Sequence, residues 1–206
     1  MTKYLEIKWC GRTGEEVLTT AAVLAEVLAV EGKYVQTVPG YSSEKNCAFF
    51  LAYNRLSDSP VRVHSAITAA DIIVIMDPNL ILNTDIDIKT NAKENPVYIV
   101  NTSAPTGFIK EKLAVPANHL FTLDTDIMAR EESGNGNSIP NVPLMTVLIG
   151  WIDWISLETF KQRLCESMSH LWTPDRAAAN IKSVDRAAQE FKKSNNLASI
   201  NNHLAS

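Results

Sequence analysis

The hydrophobic positions along the chain fall into several short runs of β-forming residues. Residues 4–9, YLEIKW, alternate between apolar and polar side chains, as expected for a strand with one buried face. Residues 71–78, 95–101 and 119–124 are apolar and rich in β-branched side chains, with little alternation. This second pattern is typical of strands covered on both faces, so it favours an α/β architecture.

Two further β-type segments follow the first predicted helix. Residues 32–41 predict a short strand that ends in a turn at Pro39 and Gly40. The runs 46–56 and 61–65 flank a turn-forming SDSP cluster and predict a β-hairpin.

Helical patterns mark three other segments. Residues 15–30 are apolar nearly all round and rich in alanine, which predicts a buried helix packed closely on the sheet. Ser156 and Thr173 are suited to capping the starts of two C-terminal helices. Along the second of these the apolar positions recur at 4-3-4-3 spacing: Ala177, Ile181, Val184, Ala188 and Phe191.

Loop and tail segments complete this division of the chain. Residues 130–143 are rich in Gly, Asn and Pro and predict a loop. After Lys193 the sequence is polar and weakly patterned. We therefore expect one domain over residues 1–193 and a C-terminal tail over residues 194–206, which could order against a partner chain.

Three of the predicted strands end in a polar residue: Asp77, Asn101 and Asp124. In open α/β sheets the carboxyl ends of the strands face the ligand crevice, so these residues could line a site. They could equally begin turns or cap helices. The pattern alone leaves both interpretations open.

Composition and charge exclude several classes of function. Of 206 residues, 46% are hydrophobic and 20% charged, which is typical of a globular chain rather than a disordered one. The net charge of −4 argues against nucleic-acid binding through a basic face. The apolar runs are too short to span a bilayer and no signal sequence is recognisable, so we expect a cytoplasmic protein with no membrane partner.

The residue types that carry chemistry are scattered. Cys10, Cys47 and Cys165 form no C-x-x-C pair, and the four histidines are far apart, so no metal or cluster site is expected in this chain. No serine, cysteine or histidine stands in a recognisable catalytic spacing. If the chain belongs to an enzyme, we expect the reaction itself to be catalysed elsewhere.

The segment CGRTGEEV resembles a phosphate-binding turn between a strand and a helix. Gly11 and Gly14 would leave backbone N–H groups free for a phosphate, with Arg12 as a charged partner. Glu15 and Glu16 favour a plain tight turn instead, because they stabilise a helix start but repel a bound phosphate.

A second candidate loop lies at residues 40–46, GYSSEKN. Ser42, Ser43, Glu44 and Lys45 place several polar groups before a strand, and loops carry function more often than cores do. The alternative is an ordinary solvated turn.

The apolar stretch at residues 142–155 also admits two interpretations. Leu148, Trp151 and Trp154 could anchor an interface with another subunit, or they could be core residues of this domain.

The order of these motifs resembles one known family. The segments from EIKWCGRTGEEV to LAYNRL, then ITAADIIVIMDPNLI, NPVYIVN, FTLDTDIMA and PNVPLMTVLIG, are similar to the gamma subunit of 2-oxoacid:acceptor oxidoreductases, the pyruvate:ferredoxin oxidoreductase group and its relatives. The resemblance runs from about Tyr4 to Lys193. It implies a single α/β domain with a mixed sheet and helices on both faces.

The resemblance also implies a place in a larger enzyme. The family oxidatively decarboxylates a 2-oxoacid, usually to an acyl-coenzyme A, and passes electrons to ferredoxin or NAD. Thiamine diphosphate and [4Fe-4S] clusters would be held by alpha, beta and delta-type partner subunits. This chain would be a non-catalytic gamma subunit that binds no cofactor alone, with coenzyme A at the interface.

Two loops correspond to those that face coenzyme A in the family. The residues implied are Gly11, Arg12, Thr13, Gly14, Glu44 and Lys45. The first family loop usually reads Gly-Arg-Gly-Gly-Gln-Gly, and Thr13, Glu15 and Glu16 depart from it here. In the second loop Asn46 and Cys47 replace the usual Arg and Gly. We therefore consider an unusual 2-oxoacid, such as phenylglyoxylate or oxalate, with a reshaped or absent coenzyme A site.

The alternative from another class is a free-standing nucleotide- or cofactor-binding α/β protein. It predicts a colourless monomer or homodimer, whereas the first interpretation predicts a brown heteromer with iron–sulfur clusters.

Overall fold

The computed structural model describes residues 4–40, 49–83, 86–133 and 139–194. These ranges form six strands: β1 (Leu5–Arg12), β2 (Tyr34–Gly40), β3 (Phe49–Ser57), β4 (Ala70–Ile75), β5 (Ala92–Asn101) and β6 (Leu120–Leu123). They also form seven α-helices: α1 (Val17–Val30), α2 (Asn79–Leu82), α3 (Thr106–Leu113), α4 (Thr125–Ser133), α5 (Asn141–Ile152), α6 (Leu157–Ser167) and α7 (Pro174–Lys193). A short 3-10 turn, Ala117–His119, precedes β6.

The strands form one mixed sheet in the order β2-β3-β1-β4-β5-β6. β1 lies inside it, antiparallel to β3 on one side and parallel to β4 on the other. β5 and β6 continue the parallel half. The carboxyl ends of β1, β4, β5 and β6 therefore lie along the same edge of the sheet, which is where ligand crevices form in such folds.

Helices cover both faces of the sheet, as expected from the sequence. On one face Trp9, Val74 and Ile99 belong to the larger core, which they share with Leu24 of α1 and Leu148 of α5. Helices α4, α6 and α7 add buried side chains to this same core.

The opposite face of the sheet is covered more lightly. Cys10, Ile73 and Tyr98 pack with Leu80 of α2 and Ile109 of α3 in a separate cluster. Burial raises the pKa of the Cys10 thiol to about 12, so this cysteine stays protonated and inert at neutral pH.

Helix α5 belongs to the core of this domain. All of its residues except Gly150 are buried, and Leu148 and Trp151 are 0% and 5% exposed. Trp154, just beyond the helix, is partly buried against the same cluster. The interpretation of residues 142–155 as core is therefore correct for α5, and its apolar face is not left free for a partner subunit.

The predicted hairpin between residues 46–56 and 61–65 is wrong. β3 pairs with β2 and β1 instead, and residues 61–65 form a loop whose carbonyl groups at Val63 and Ser65 accept hydrogen bonds from Arg55. A hydrophobic pattern identifies a strand but not the strand that it pairs with.

The predicted turn at Pro39 and Gly40 is also wrong, because both residues lie within β2. β2 is an edge strand, and an edge strand tolerates a proline that has no N–H to donate.

Two other predictions need partial correction. α1 is buried on one side only, since Leu18 and Val30 are 48% and 61% exposed. The predicted loop at 130–143 is helical at both of its ends, because α4 continues to Ser133 and α5 starts at Asn141. Pro143 lies in the first turn of α5, where helix N–H groups have no intrahelical partner anyway.

The two predicted helix caps are confirmed. Ser156 Oγ accepts a hydrogen bond from the Thr159 N–H at 3.0 Å, and Thr173 Oγ1 accepts from the Arg176 N–H at 3.3 Å. Of the predicted tail, residues 195–206 lie outside the described residues, and Ser194 ends α7 as its C-cap.

Candidate functional site

A tight turn joins β1 to α1 at the carboxyl end of the sheet. Gly14 has a φ of 91°, which glycine adopts at little cost, and Glu16 has a left-handed φ of 51°. Gly11 is needed for a different reason: a Cβ there would lie 2.6 Å from both Glu15 Oε2 and Val17 Cγ2. The glycines of the motif therefore serve close packing and the turn itself.

Glu15 folds back onto the strand that precedes it. Its Oε2 accepts a hydrogen bond from the backbone N–H of Arg12 at 2.6 Å. Burial raises the pKa of the Glu15 carboxyl, and the nearby Asp77 and Asp126 raise it further, while the Arg12 hydrogen bond acts in the opposite direction. The Glu15 side chain thus occupies a backbone donor that a bound phosphate would need.

The Arg12 side chain is also engaged. Its Nε lies 2.5 Å from Oδ2 of Asp77, which follows β4 and is buried. Asp77 Oδ1 in turn accepts hydrogen bonds from the backbone and side-chain N–H groups of Asn79, both at 2.8 Å. Asp77 therefore starts the turn into α2 and neutralises Arg12 at the same time.

The polar residues at the ends of β5 and β6, Asn101 and Asp124, also make local contacts. Asn101 Nδ2 donates to the Met76 carbonyl at 3.0 Å, and its Oδ1 accepts from the Thr125 N–H at 2.9 Å. Asp124 Oδ1 accepts from the Ile127 N–H at 2.9 Å at the start of α4. Turn formation and capping thus account for these residues, and Asn101 also ties neighbouring strand ends together.

A cleft of about 520 Å³ opens above these strand ends. It is bounded by the starts of several helices, and four carboxylates line or border it. The lining residues are Gly14, Glu15, Glu16, Met76, Asp77, Pro78, Asn79, Asn101, Asp126, Ile139, Pro140, Asn141 and Arg176. No serine, cysteine or histidine is among these described residues, so the cleft offers carboxylates, amides and one guanidinium but no nucleophile–base pair.

Arg176 is the cationic side chain that lines the cleft. It lies in the first turn of α7, and its Nε is buried without a hydrogen-bond partner among the described residues. Its position could not be read from the sequence. Thr173 and Pro174 do indicate that Arg176 starts a helix, but the approach of that helix to the β1–α1 turn depends on long-range packing.

Asn141 connects the cleft to the rest of the fold. Its Nδ2 donates to the Glu15 carbonyl and to Thr20 Oγ1, both at 2.9 Å. The start of α5 is thereby fixed to the β1–α1 turn, across 126 residues of sequence.

The structure places the predicted coenzyme A-facing residues in different environments. Gly14 lines the cleft, and Arg12 reaches its edge through Asp77. Gly11 is buried and Thr13 is exposed on the turn. Glu44 and Lys45 lie outside the described residues, so their part in the site stays a prediction.

The residues present do not fit a phosphate at the β1–α1 turn. Glu15 occupies the Arg12 N–H, Asp77 pairs with the Arg12 side chain, and the neighbouring cleft is lined by four carboxylates and one guanidinium. Nor do the described ranges bring together three His, Cys, Asp or Glu side chains that could hold a metal ion. Within the same ranges, no helix is long and apolar enough to cross a membrane.

Comparison with known proteins gives matches along nearly the whole chain. The family described as pyruvate ferredoxin/flavodoxin oxidoreductase matches residues 6–190. The pyruvate synthase subunit PorC of Thermotoga maritima is 29% identical over 92% of this chain and 96% of its own length. The pyruvate/ketoisovalerate oxidoreductases common subunit gamma of Thermococcus litoralis is 31% identical over 80% and 87%.

Solved structures agree with the sequence matches. The crystal structure of the Thermotoga maritima pyruvate oxidoreductase subunit superimposes with a TM-score of 0.71 at 28% identity, covering 91% of this chain and 96% of that one. The 2-oxoglutarate:ferredoxin oxidoreductase of Magnetococcus marinus shares the fold, with a TM-score of 0.67 at 16% identity. There the match covers 94% of this chain but 32% of the larger one. By its sequence and its fold, the chain belongs to the pyruvate ferredoxin/flavodoxin oxidoreductase family, as a chain of the gamma-subunit type.

Proposed function

We propose that this chain is a non-catalytic gamma subunit of a 2-oxoacid oxidoreductase complex. Partner subunits of alpha, beta and delta type would hold thiamine diphosphate and the [4Fe-4S] clusters, and ferredoxin or NAD would accept the electrons. The observation that carries the proposal is the family match over residues 6–190, and the lining of the cleft adds no nucleophile–base pair to it. Its contribution to the complex is to position neighbouring chains and to shape one wall of a site.

The same cleft bears on the use of coenzyme A. Glu15 occupies the Arg12 N–H, and Glu16, Asp77 and Asp126 add negative charge nearby. We propose that coenzyme A, if it approaches at the subunit interface, is not held through its phosphates by residues 11–14. Arg176 is the cationic side chain that lines the cleft, and its buried Nε has no hydrogen-bond partner among the described residues.

The substrate class follows as a second part of the proposal. The named relatives act on pyruvate or ketoisovalerate, and a small 2-oxoacid is the default expectation for this complex. Because Glu15 already occupies the Arg12 N–H of the β1–α1 turn, we favour a complex with a reshaped coenzyme A site. An unusual substrate such as phenylglyoxylate or oxalate would suit that arrangement.

Purification of the assembled complex from its native host, through a tag on this chain, tests the proposal. We expect a brown heteromer that reduces ferredoxin or a viologen dye when given one 2-oxoacid from a panel of pyruvate, ketoisovalerate, 2-oxoglutarate, phenylglyoxylate and oxalate. A colourless monomer or homodimer would contradict it and support the free-standing nucleotide- or cofactor-binding alternative.

Omission of coenzyme A from that assay separates the two parts of the proposal. Activity that does not depend on coenzyme A supports a lost acceptor site. If coenzyme A is required, the Glu15→Gln complex and the wild-type complex should have the same KM for coenzyme A. A several-fold lower KM in the variant would show that the turn does contact a phosphate, against the proposal.

A further inference from the structure

The outer edge of β6 borders a groove that lies away from the cleft. β6 is the last strand of the sheet, and no strand among the described residues pairs with its outer side. The groove has a volume of about 460 Å³ and runs between this edge, the start of α4 and the end of α7. An open strand edge is a surface that proteins usually cover, because its free backbone groups would otherwise pair with other chains.

The groove combines an apolar floor with a rim on which carboxylates outnumber cations. Ile127 of α4 is 40% exposed there, beside the buried Met128. Lys193 pairs with Glu190 at 2.7 Å, Arg186 pairs with Glu131 at 2.6 Å and Glu132 at 3.3 Å, and Asp124 also lines the groove. An occupant therefore needs apolar side chains and no acidic side chain.

We propose that residues 195–206 of this same chain occupy the groove. Ser194, the last described residue, lines it, so the segment emerges at that place. The segment contains no Asp or Glu, which suits a rim rich in carboxylates. Leu197, Ile200 and Leu204 are its large apolar side chains and would cover Ile127 and the edge of β6.

The length of the segment is sufficient. Twelve residues extend to about 40 Å, and a strand of four residues such as β6 is about 13 Å long. The segment can therefore turn back after Ser194 and follow the whole groove. This proposal does not depend on the proposed function of the cleft, because it concerns a different edge of the domain.

Hydrogen exchange of the full-length protein, alone and in its complex, tests the proposal. In the Ile200→Asp and Leu204→Asp variants we expect the outward-facing amides of residues 120–124 to exchange about tenfold faster than in the wild type. Asn196→Gln is the control, since it changes a polar side chain without adding a charge and should leave these amides unchanged. The reciprocal variant Ile127→Asp should speed exchange within residues 195–206.

Two results would overturn the proposal. Exchange at residues 120–124 that is the same in all variants would show that the segment does not cover this edge. Protection that appears only in the assembled complex, and that survives Ile200→Asp, would assign the groove to a partner chain instead.

Discussion

Replacing Glu15 by Gln removes one charge from the β1–α1 turn but keeps an oxygen that can accept from the Arg12 N–H. The pKa of Glu15 is raised from its ordinary value of 4.5, chiefly by burial. Between that value and the raised one the folded state binds more protons than the unfolded state, so the free energy of unfolding falls as pH rises through this window. Glu15→Gln should therefore be more stable than the wild type at pH 7.

Thermal unfolding across pH checks this prediction. The advantage of Glu15→Gln should shrink as the pH falls through the raised pKa of the wild-type carboxyl toward 4.5, because the folded state then takes up a proton at Glu15. Glu16→Gln is the matched control, because the Glu16 side chain makes no capping hydrogen bond. A Gln variant of Glu15 that is less stable than the wild type at pH 7 would show that the charged hydrogen bond outweighs the burial of the charge.

Substitution of Gly11 offers a test of side-chain packing in the same turn. A Cβ at this position would meet Glu15 Oε2 and Val17 Cγ2 at 2.6 Å, so Gly11→Ala should lower the free energy of unfolding by about 1–3 kcal/mol. Gly107→Ala in α3 is the control: nothing lies within 4 Å of its Cβ, and alanine in a helix should stabilise by about 0.5–1 kcal/mol. Urea unfolding of both variants measures the difference, and equal effects would contradict the packing argument.

Residue-level prediction from the sequence succeeded where the cause was local. Gly14 could be assigned to a turn because a positive φ favours glycine, and Ser156 to a cap because of its position before a helix. The hydrogen bond between Glu15 and the Arg12 N–H is also local, but it was not predicted, because the same residue spacing is compatible with a Glu15 side chain that extends into solvent. Arg176 was missed because its neighbours across the cleft are distant in sequence.

At the scale of single elements, the cap of α6 can be tested directly. Ser156→Ala removes the acceptor for the Thr159 N–H and should cost about 1 kcal/mol of stability. Ser156→Asp keeps an acceptor and should stay close to the wild type. Chemical denaturation of the three proteins gives the comparison, and equal losses in both variants would show that the hydroxyl acts in another way.

Helix α5 offers a test of core burial. Leu148 is fully buried, so Leu148→Ala should destabilise the isolated chain by about 2–5 kcal/mol. Leu18→Ala makes the same change at a side chain that is 48% exposed, and we expect a smaller loss there. A small effect of Leu148→Ala that grows in the assembled complex would instead support an interface role for this helix.

Helices and strands were predictable from the sequence where the pattern of apolar residues along a segment shows which of its faces are buried. β4, β5 and β6 were recognised because strands covered on both faces read as continuous apolar runs. The partner of β3 was mistaken, because pairing is a long-range property that alternation does not encode. The exposed positions of α1, Leu18 and Val30, show that an apolar helix surface need not be entirely buried.

At the scale of the whole molecule, Asn141 joins the C-terminal helices to the β1–α1 turn. Asn141→Asp replaces the donor by a carboxylate beside the Glu15 carbonyl, so it should lower the free energy of unfolding by about 1–3 kcal/mol. Gln189→Glu is an equivalent amide-to-carboxyl change at an exposed position of α7 and should be nearly neutral. Amide exchange in residues 13–16 should also speed up in Asn141→Asp alone.

The overall architecture was predicted from the order of motifs rather than from any one of them. The single α/β domain, the mixed sheet and the helices on both faces are confirmed. The cleft could be anticipated only as the usual edge of such a sheet. Its acidic lining arises because residues from six separate segments, from Gly14 to Arg176, meet only after the chain has folded.

The hydrogen bond from the Arg12 N–H to Glu15 means that the protein's own carboxylate competes with anions for a backbone donor of the β1–α1 turn. Donor and acceptor are three residues apart, so the carboxylate acts as a tethered competitor with an effective concentration on the order of millimolar or more. A free anion must compete with this carboxylate for the Arg12 N–H, so its apparent affinity for the turn is lowered. One side chain of the protein therefore weakens anion binding at this edge of the sheet, and a substitution that shortens it would leave the donor open.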